Sequence, residues 1–378
     1  MLKKIIKYTA LLLVCFAAGF LGTLAIVCLA TDRTFGGMLE KIGTEGPGEM
    51  LLSVLVSLTA LVLATVVQII LHEAGHLIGG LLTGYRFVSF RIFRFVVLRD
   101  DTGHLRLKRF HLAGTGGQCL LTPPPDTDRP TPYVLYNAGG FAANFLTALI
   151  ALTLMVFVDG LPAFATVFLL MNVIIGTALG LMNAIPMKAG GVSNDGYNLR
   201  LLKDPRLLRS MVIQLRVNAA VQNGMRPTEM PAEWFEATGP THYDNLIEVG
   251  DLMLRTAYQM DLGHMEVAQA LLEGAYEHSD QIGPLMKNEV ACELLYLYWT
   301  TGQTERASAL LTPDLEKYIR STAGVMSSKQ RILFAQALCG EKDTARALEI
   351  FRRLEASQDK YLMQGEVKMD LALMRQLL

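Results

Sequence analysis

LHEAGHLIGG, residues 71–80, closes an uncharged apolar run that begins at Leu51. A stretch bound for a bilayer here carries two histidines and a glutamate. An ionisable side chain at the middle of a membrane costs about 2.5–3.5 kcal/mol on insertion scales, so such a cluster marks a functional site. Positions i and i+4 of a helix share a face, which lets the imidazoles of His72 and His76 converge on one ion. Zinc accepts neutral imidazole and, in catalytic sites, commonly takes three protein ligands plus a water. Glu73 lies next in the same turn, near that water, and can take its proton. The bland alternative is three polar groups satisfying one another between helices.

Of the 378 residues, 51% are hydrophobic and only 18% are charged, which points to a membrane protein. The formal charge of −1 gives no overall basicity, so no nucleic-acid partner is expected. Five cysteines (Cys15, Cys28, Cys119, Cys292 and Cys339) are scattered without CxxC spacing, and read as free thiols. Four runs reach the roughly 20 residues needed to cross hydrocarbon. They are Tyr8 to Thr31, Leu51 to about Leu82, Leu135 to Val158, and Gly160 to Met187. The first follows Lys3, Lys4 and Lys7 and is longer than a cleavable signal's apolar region, so it reads as a retained anchor.

Basic residues orient the crossings. The lysine-rich start belongs inside, and the loop from Asp32 to Glu49 has four acidic residues against two basic, as for an outer loop. The loop from Tyr85 to Pro132 is rich in arginine and belongs inside, with everything after the fourth crossing. The expectation is a multi-pass plasma-membrane protein with both its N-terminus and its C-terminal part in the cytoplasm. HEAGH then lies towards the cytoplasmic end of its helix.

Within the arginine-rich loop, RFVSFRIFRFVVL and HLRLKRFHL flank Asp100-Asp101-Thr102-Gly103, the pattern of a β-hairpin at about residues 85–115. Its basic, amphipathic strands suit the inner surface of the bilayer. Pro123 to Pro125 open an extended linker. After about Lys203 charged residues become frequent; residues 201–243 read as linker and connecting helix, and 244–378 as amphipathic helices. Gly263-to-Ala268, Gly302-to-Ala307 and Gly340-to-Ala345 repeat one glycine-to-alanine offset, as in stacked helical hairpins. The pattern resembles tetratricopeptide repeats, with a longer period. The fold class is therefore mainly α: a membrane helix bundle (residues 1–49 an anchor and outer loop, 50–200 the core), a β-hairpin insertion and a cytoplasmic helical repeat.

A third ligand is needed. The best remote candidate is the segment Asn183-Ala-Ile-Pro186 followed by Asp195-Gly196, which charge places on the same side as HEAGH; His104 and His111 on the basic hairpin are its rivals. A membrane-embedded HExxH followed by N-x-x-P and then D-G resembles the site-2 protease family of intramembrane metalloproteases. The resemblance covers roughly residues 50–200. It implies one zinc ion held by His72, His76 and Asp195, with Glu73 as general base. The stretch Gly140-Phe-Ala-Ala-Asn144 is similar to a small-residue segment of that family. By that resemblance Asn144 and Asn183 would contact the substrate backbone or the oxyanion. This chain departs from the family in two ways: Lys188 to Gly191 lengthen the segment before Asp195, and no proline stands between Gly140 and Asn144.

The expected activity is hydrolysis of peptide bonds in membrane-spanning or membrane-associated proteins, with the strand from Phe87 to Leu98 receiving the unwound substrate. The C-terminal helices would select or position substrates or meet a cytoplasmic protein. The competing reading is a membrane-anchored helical scaffold with a structural metal. Glycines four apart (Gly75 and Gly79, Gly176 and Gly180) would let the helices around the site approach closely.

Overall fold

The structure, a computed structural model, describes residues 46–99, 103–109, 116–125, 130–189, 192–237 and 239–378. The first expected crossing, Tyr8 to Thr31, lies outside the described residues, as does His111. Among the described residues, three helices are long and apolar enough to cross a membrane: α1 (Pro47–Leu82), α2 (Val134–Phe157) and α3 (Ala163–Ala184). They coincide with the second, third and fourth expected runs. Helix α1 has 36 residues, about 54 Å of rise, against roughly 30 Å of hydrocarbon. HEAGH occupies its last third.

The packing of these helices follows from which side chains are small. The N-terminal part of α1 exposes Leu51, Leu52, Leu55 and Val62, a surface for lipid. The face turned to α2 and α3 buries Ala60, Ala64, Gly75 and Gly79. At Gly75 the backbones of α1 and α2 touch: a Cβ there would fall 2.1 Å from Gly139 O, and a Cβ on Gly139 equally close to Gly75 O. In a bilayer, which offers no hydrophobic driving force between helices, such contacts would supply the dispersion that holds them together.

Between α1 and α2 the chain forms a four-stranded antiparallel sheet, in spatial order β3-β2-β1-β4, from β1 (Arg86–Ile92), β2 (Phe95–Arg99), β3 (Leu105–Arg109) and β4 (Gly117–Thr122). The hairpin expected across Asp100 to Gly103 joins β2 to β3, with Arg99 opposite Leu105. The stretch RFVSFRIFRFVVL is two strands, folded at Phe93-Arg94 so that Ile92 faces Phe95. Phe93 takes φ 50°, a left-handed turn made without glycine or asparagine and so without a sequence signal. Strand β1 is paired on both sides and has no edge to offer a substrate; the edges are β3 and β4. On β3, Leu105 and Leu107 are 63% and 68% exposed beside Arg106 and Arg109, an apolar and basic surface.

After α3 a two-stranded ribbon, β5 (Lys188–Ala189) and β6 (Val192–Ser193), leads into α4 (Asp195–Leu201) and α5 (Pro205–Gln222). Helix α5 packs Leu215 and Ala219 on the sheet at Val88 and Leu120. Eight further helices follow: α6 (Leu246–Asp261), α7 (Met265–Glu277), α8 (Pro284–Thr300), α9 (Thr304–Leu310), α10 (Pro313–Thr322), α11 (Ser327–Ala335), α12 (Thr344–Ala356) and α13 (Gln364–Arg375).

The glycine-to-alanine pattern holds twice and then slips. Gly263 and Gly302 turn the α6–α7 and α8–α9 hairpins with φ 85° and 76°, and Ala268 and Ala307 are fully buried. In the third hairpin Lys342 makes the turn, at φ 59°, and Ala347 is the buried alanine, while Ala345 is exposed. Both features sit two residues later than the sequence pattern implied. A wide helical turn over Gln336–Gly340 takes up the extra residues, and Gly340 itself lies against the Trp299 ring.

Candidate metal centre

His72 and His76 lie one turn apart on α1, and Asp195 is the first residue of α4. Their donor atoms form a small triangle. Nε2 of His72 is 3.2 Å from Nε2 of His76, and Asp195 Oδ2 is 3.3 Å and 3.5 Å from them. Ligands about 2.0–2.1 Å from one tetrahedral ion stand about 3.3–3.4 Å apart, so the triangle has the size that zinc requires. Two further observations fit a cation. Asp195 Oδ2 is buried with no hydrogen-bond partner. A Cβ added to Gly140 would fall 2.4 Å from His76 Nε2 and 2.7 Å from His72 Nε2, so glycine keeps that space open. Among the described residues, this is the group of histidine, cysteine and carboxylate side chains able to hold a metal.

The outer nitrogens fix how the imidazoles present themselves. His76 Nδ1 lies 2.7 Å from the carbonyl of Tyr136, which can only accept, so Nδ1 carries the proton and donates. His72 Nδ1 lies 2.7 Å from Asn144 Oδ1. Asn144 Nδ2 donates to the carbonyl and the side-chain Oε1 of Gln68, which leaves Oδ1 as the acceptor for His72. Both Nε2 lone pairs therefore face the triangle, as ligation needs. The chain of bonds runs on: Gln68 Nε2 donates to Asn172 Oδ1, and Thr147 Oγ1 donates to Gln68 Oε1. Gln68, Asn144 and Asn172 are buried, and this network joins α1, α2 and α3 at the level of the site.

Asp195 is delivered by its neighbours. Asn194 Oδ1 accepts from the amides of Tyr197 and Met187, and its Nδ2 donates to the carbonyls of Met182 and Ile185. One side chain thus caps α4 and ties it to the end of α3. Gly196 allows that junction, since a Cβ there would fall 2.1 Å from Ala184 O. The insertion before Asp195 projects as the β5–β6 ribbon and closes again through Asn194 N to Met187 O, so it does not displace the aspartate.

Compared with protein families, curated proteins and solved structures, this chain matches none. The functional reading rests on its own residues.

Glu73 lines a cavity of about 390 Å³ together with His72, His76 and Asp195. The strand β4 passes directly over it: a Cβ on Gly117 would fall 2.5 Å from the Glu73 carboxylate. Arg91, buried on β1, donates to the carbonyls of Phe93 and Gly117 and adds a positive charge near Glu73. Leu202, just after α4, and Leu208 and Leu215 of α5 form other walls. Of the two asparagines assigned by resemblance, Asn144 meets the site through His72, whereas Asn183 Nδ2 donates to Leu179 O within its own helix. His104 lies beyond β2, on an exposed turn. Sequence reasoning passed over Gln68, Arg91 and Asn194. Gln68 had a signal, being a polar residue in an apolar run one turn before His72. Arg91 looked like one more surface arginine of a basic loop.

Proposed function

We propose that this protein is an intramembrane zinc metalloprotease of site-2 protease type, hydrolysing peptide bonds of membrane-spanning or membrane-associated proteins. The observation that carries the reading is the triangle of His72 Nε2, His76 Nε2 and Asp195 Oδ2, drawn from two distant parts of the chain, with Glu73 in the same cavity. Zinc bound there would supply Lewis acidity towards a peptide carbonyl and a water made acidic near neutral pH.

The chain's own residues do the rest. Asn144 and the Tyr136 carbonyl hold the imidazoles in the ligating orientation. Glu73 takes the proton of the attacking water and passes it to the leaving amine. A substrate helix hides its peptide bonds in its own hydrogen bonds, so it must unwind to react. The edge strand β4 runs beside Glu73 and can receive the unwound segment as an added strand through main-chain hydrogen bonds. Three apolar helices and the exposed leucines of β3 suit residence in a bilayer, with the site near its cytoplasmic face.

Glu73→Gln tests the reading, with the variant co-expressed beside a single-pass membrane protein. It should keep its zinc while cleavage falls by about 10²–10⁴-fold. Undiminished cleavage would remove Glu73 as the base. A biological effect that survives Glu73→Gln but is lost on truncation after Lys203 would favour a membrane-anchored scaffold instead.

A further inference from the structure

Between α5 and the helices that follow it lies a cavity of about 350 Å³ whose lining is unusual. Six of the chain's 18 methionines face it: Met253, Met260, Met286, Met326, Met363 and Met369. Methionine is flexible and polarisable, and it is used where a surface must fit several apolar side chains. Behind this wall lies a cluster of charges. Lys329 pairs with Glu289 at 2.8 Å; Arg331 pairs with Glu293 and Asp370, each at 2.6 Å. Glu366 on α13 also lines the cavity and has no cation partner among the described residues. Four carboxylates thus stand against two cations. Arg331 is 1% exposed, lines the cavity, and its Nη1 has no hydrogen-bond partner. The cavity therefore combines an adaptable apolar wall, an unneutralised acid and an unused donor.

It also extends towards the candidate metal centre. A second space of about 220 Å³ shares Met326, Met363, Glu366 and Asn218 with this cavity. That second space is bounded on its other side by Ser89, Leu120 and Gln118 of the sheet, and Gln118 also lines the cavity of Glu73. Three spaces thus lie in series, from the metal ligands across β4 to the methionines.

We propose that this series is a receptor for the cytoplasmic flank of the substrate, taking a peptide in which aliphatic and basic residues are interspersed. The inference rests on the proteolytic reading for the identity of the occupant. Cytoplasmic flanks of membrane proteins are enriched in lysine and arginine. An aliphatic side chain lies among the methionines, and a basic one meets Glu366. Burial, and then the neighbouring Asp370, push Glu366 up to about 7. Its other neighbours are Glu293 on α8 and Ser328 and Lys329 on α11. A bound cation ionises Glu366, so capture of a basic peptide strengthens from pH 6 to pH 8.

The test uses full-length protein in nanodiscs and two fluorescent dodecapeptides, one of leucine and lysine, the other of leucine and glutamate. The lysine peptide should bind at least about tenfold tighter than its counterpart, and Glu366→Gln should weaken it by about tenfold. Met326→Trp, which fills the junction between the two outer spaces, should also weaken binding, while zinc content stays unchanged in both variants. Equal affinity for the two peptides, or binding insensitive to both substitutions, overturns the proposal. The Glu73→Gln protein serves as a separate arm. Peptide binding without cleavage of any substrate by the wild type would sink the protease reading and keep the receptor. Cleavage with no effect at Glu366 or Met326 would do the reverse.

Discussion

Asn144 Oδ1 accepts from His72 Nδ1 at 2.7 Å, and Asn144 has no solvent exposure at all. The bond makes the asparagine part of the metal site's support, because its amide nitrogen is already spent on Gln68. Removing the acceptor frees the His72 ring to turn and leaves a buried donor unsatisfied. Partners of this kind typically contribute 10–100-fold to metal affinity. Asn144→Ala should therefore weaken zinc by about that factor in a chelator competition. Asn183→Ala should leave zinc affinity unchanged, since that side chain bonds only within its own helix. Equal zinc retention in both variants would mean that Asn144 does not orient the ligand.

Gly140 offers a test that needs no substrate. Its missing side chain leaves room beside both Nε2 atoms, and the imidazoles cannot swing aside without breaking their bonds to Asn144 and Tyr136. Gly140→Ala should lower zinc occupancy on purification to well below one ion per chain, with the helical content unchanged by circular dichroism. Full occupancy would show that the rings yield to the methyl group.

The edge strand can be examined through its backbone. Cys119→Pro removes one main-chain donor from β4, beside Glu73; because Tyr136 Oη donates to the Cys119 carbonyl, zinc is measured in the same variant. A lost hydrogen bond of about 1–1.5 kcal/mol corresponds to roughly a tenfold fall in cleavage, with zinc retained. Unchanged turnover would exclude strand addition on β4.

How much of this was legible beforehand differed by element, for physical reasons. The apolar runs marked the three helices long enough to cross a membrane to within a few residues, because an uninterrupted apolar stretch of that length has few other folds. His72 and His76 could be paired from spacing alone, since the helix fixes what i and i+4 share. Asp195 required knowing that two segments over a hundred residues apart meet; charge placed both on one side, and the resemblance singled out the aspartate. The turn at Phe93 carries no glycine, so β1 and β2 read as one strand, and β4 fell between the expected hairpin and the proline linker without being assigned. In the third hairpin the two-residue slip was hidden by Gly340 and Ala345, which keep the spacing of the earlier repeats while Lys342 and Ala347 do the structural work. Nothing in the sequence sets Lys329, Arg331 and Asp370, which are buried, apart from solvated helix positions.

Those buried charges make stability depend on pH in a direction the sequence does not reveal. Glu366 titrates near 7 in the folded chain and near its ordinary 4.5 when unfolded, so the folded state holds its proton more tightly. Its contribution is fully present below about pH 4.5 and is lost as pH rises through about 7. Glutamine keeps the shape and carries no proton to lose. Between pH 5 and pH 8 the wild type should therefore lose melting temperature relative to Glu366→Gln, and the variant should be the more stable protein at pH 8. Asp370→Asn is the contrasting case. It takes a charged partner from Arg331, which is itself buried, and should destabilise the helical domain throughout the range, by about 3–5 kcal/mol. Melting curves followed by tryptophan fluorescence at Trp299, in the same helix as Glu293, measure both effects. Parallel pH profiles for the wild type and Glu366→Gln would mean that the carboxyl is solvated after all and that the acid excess around it is neutralised by water.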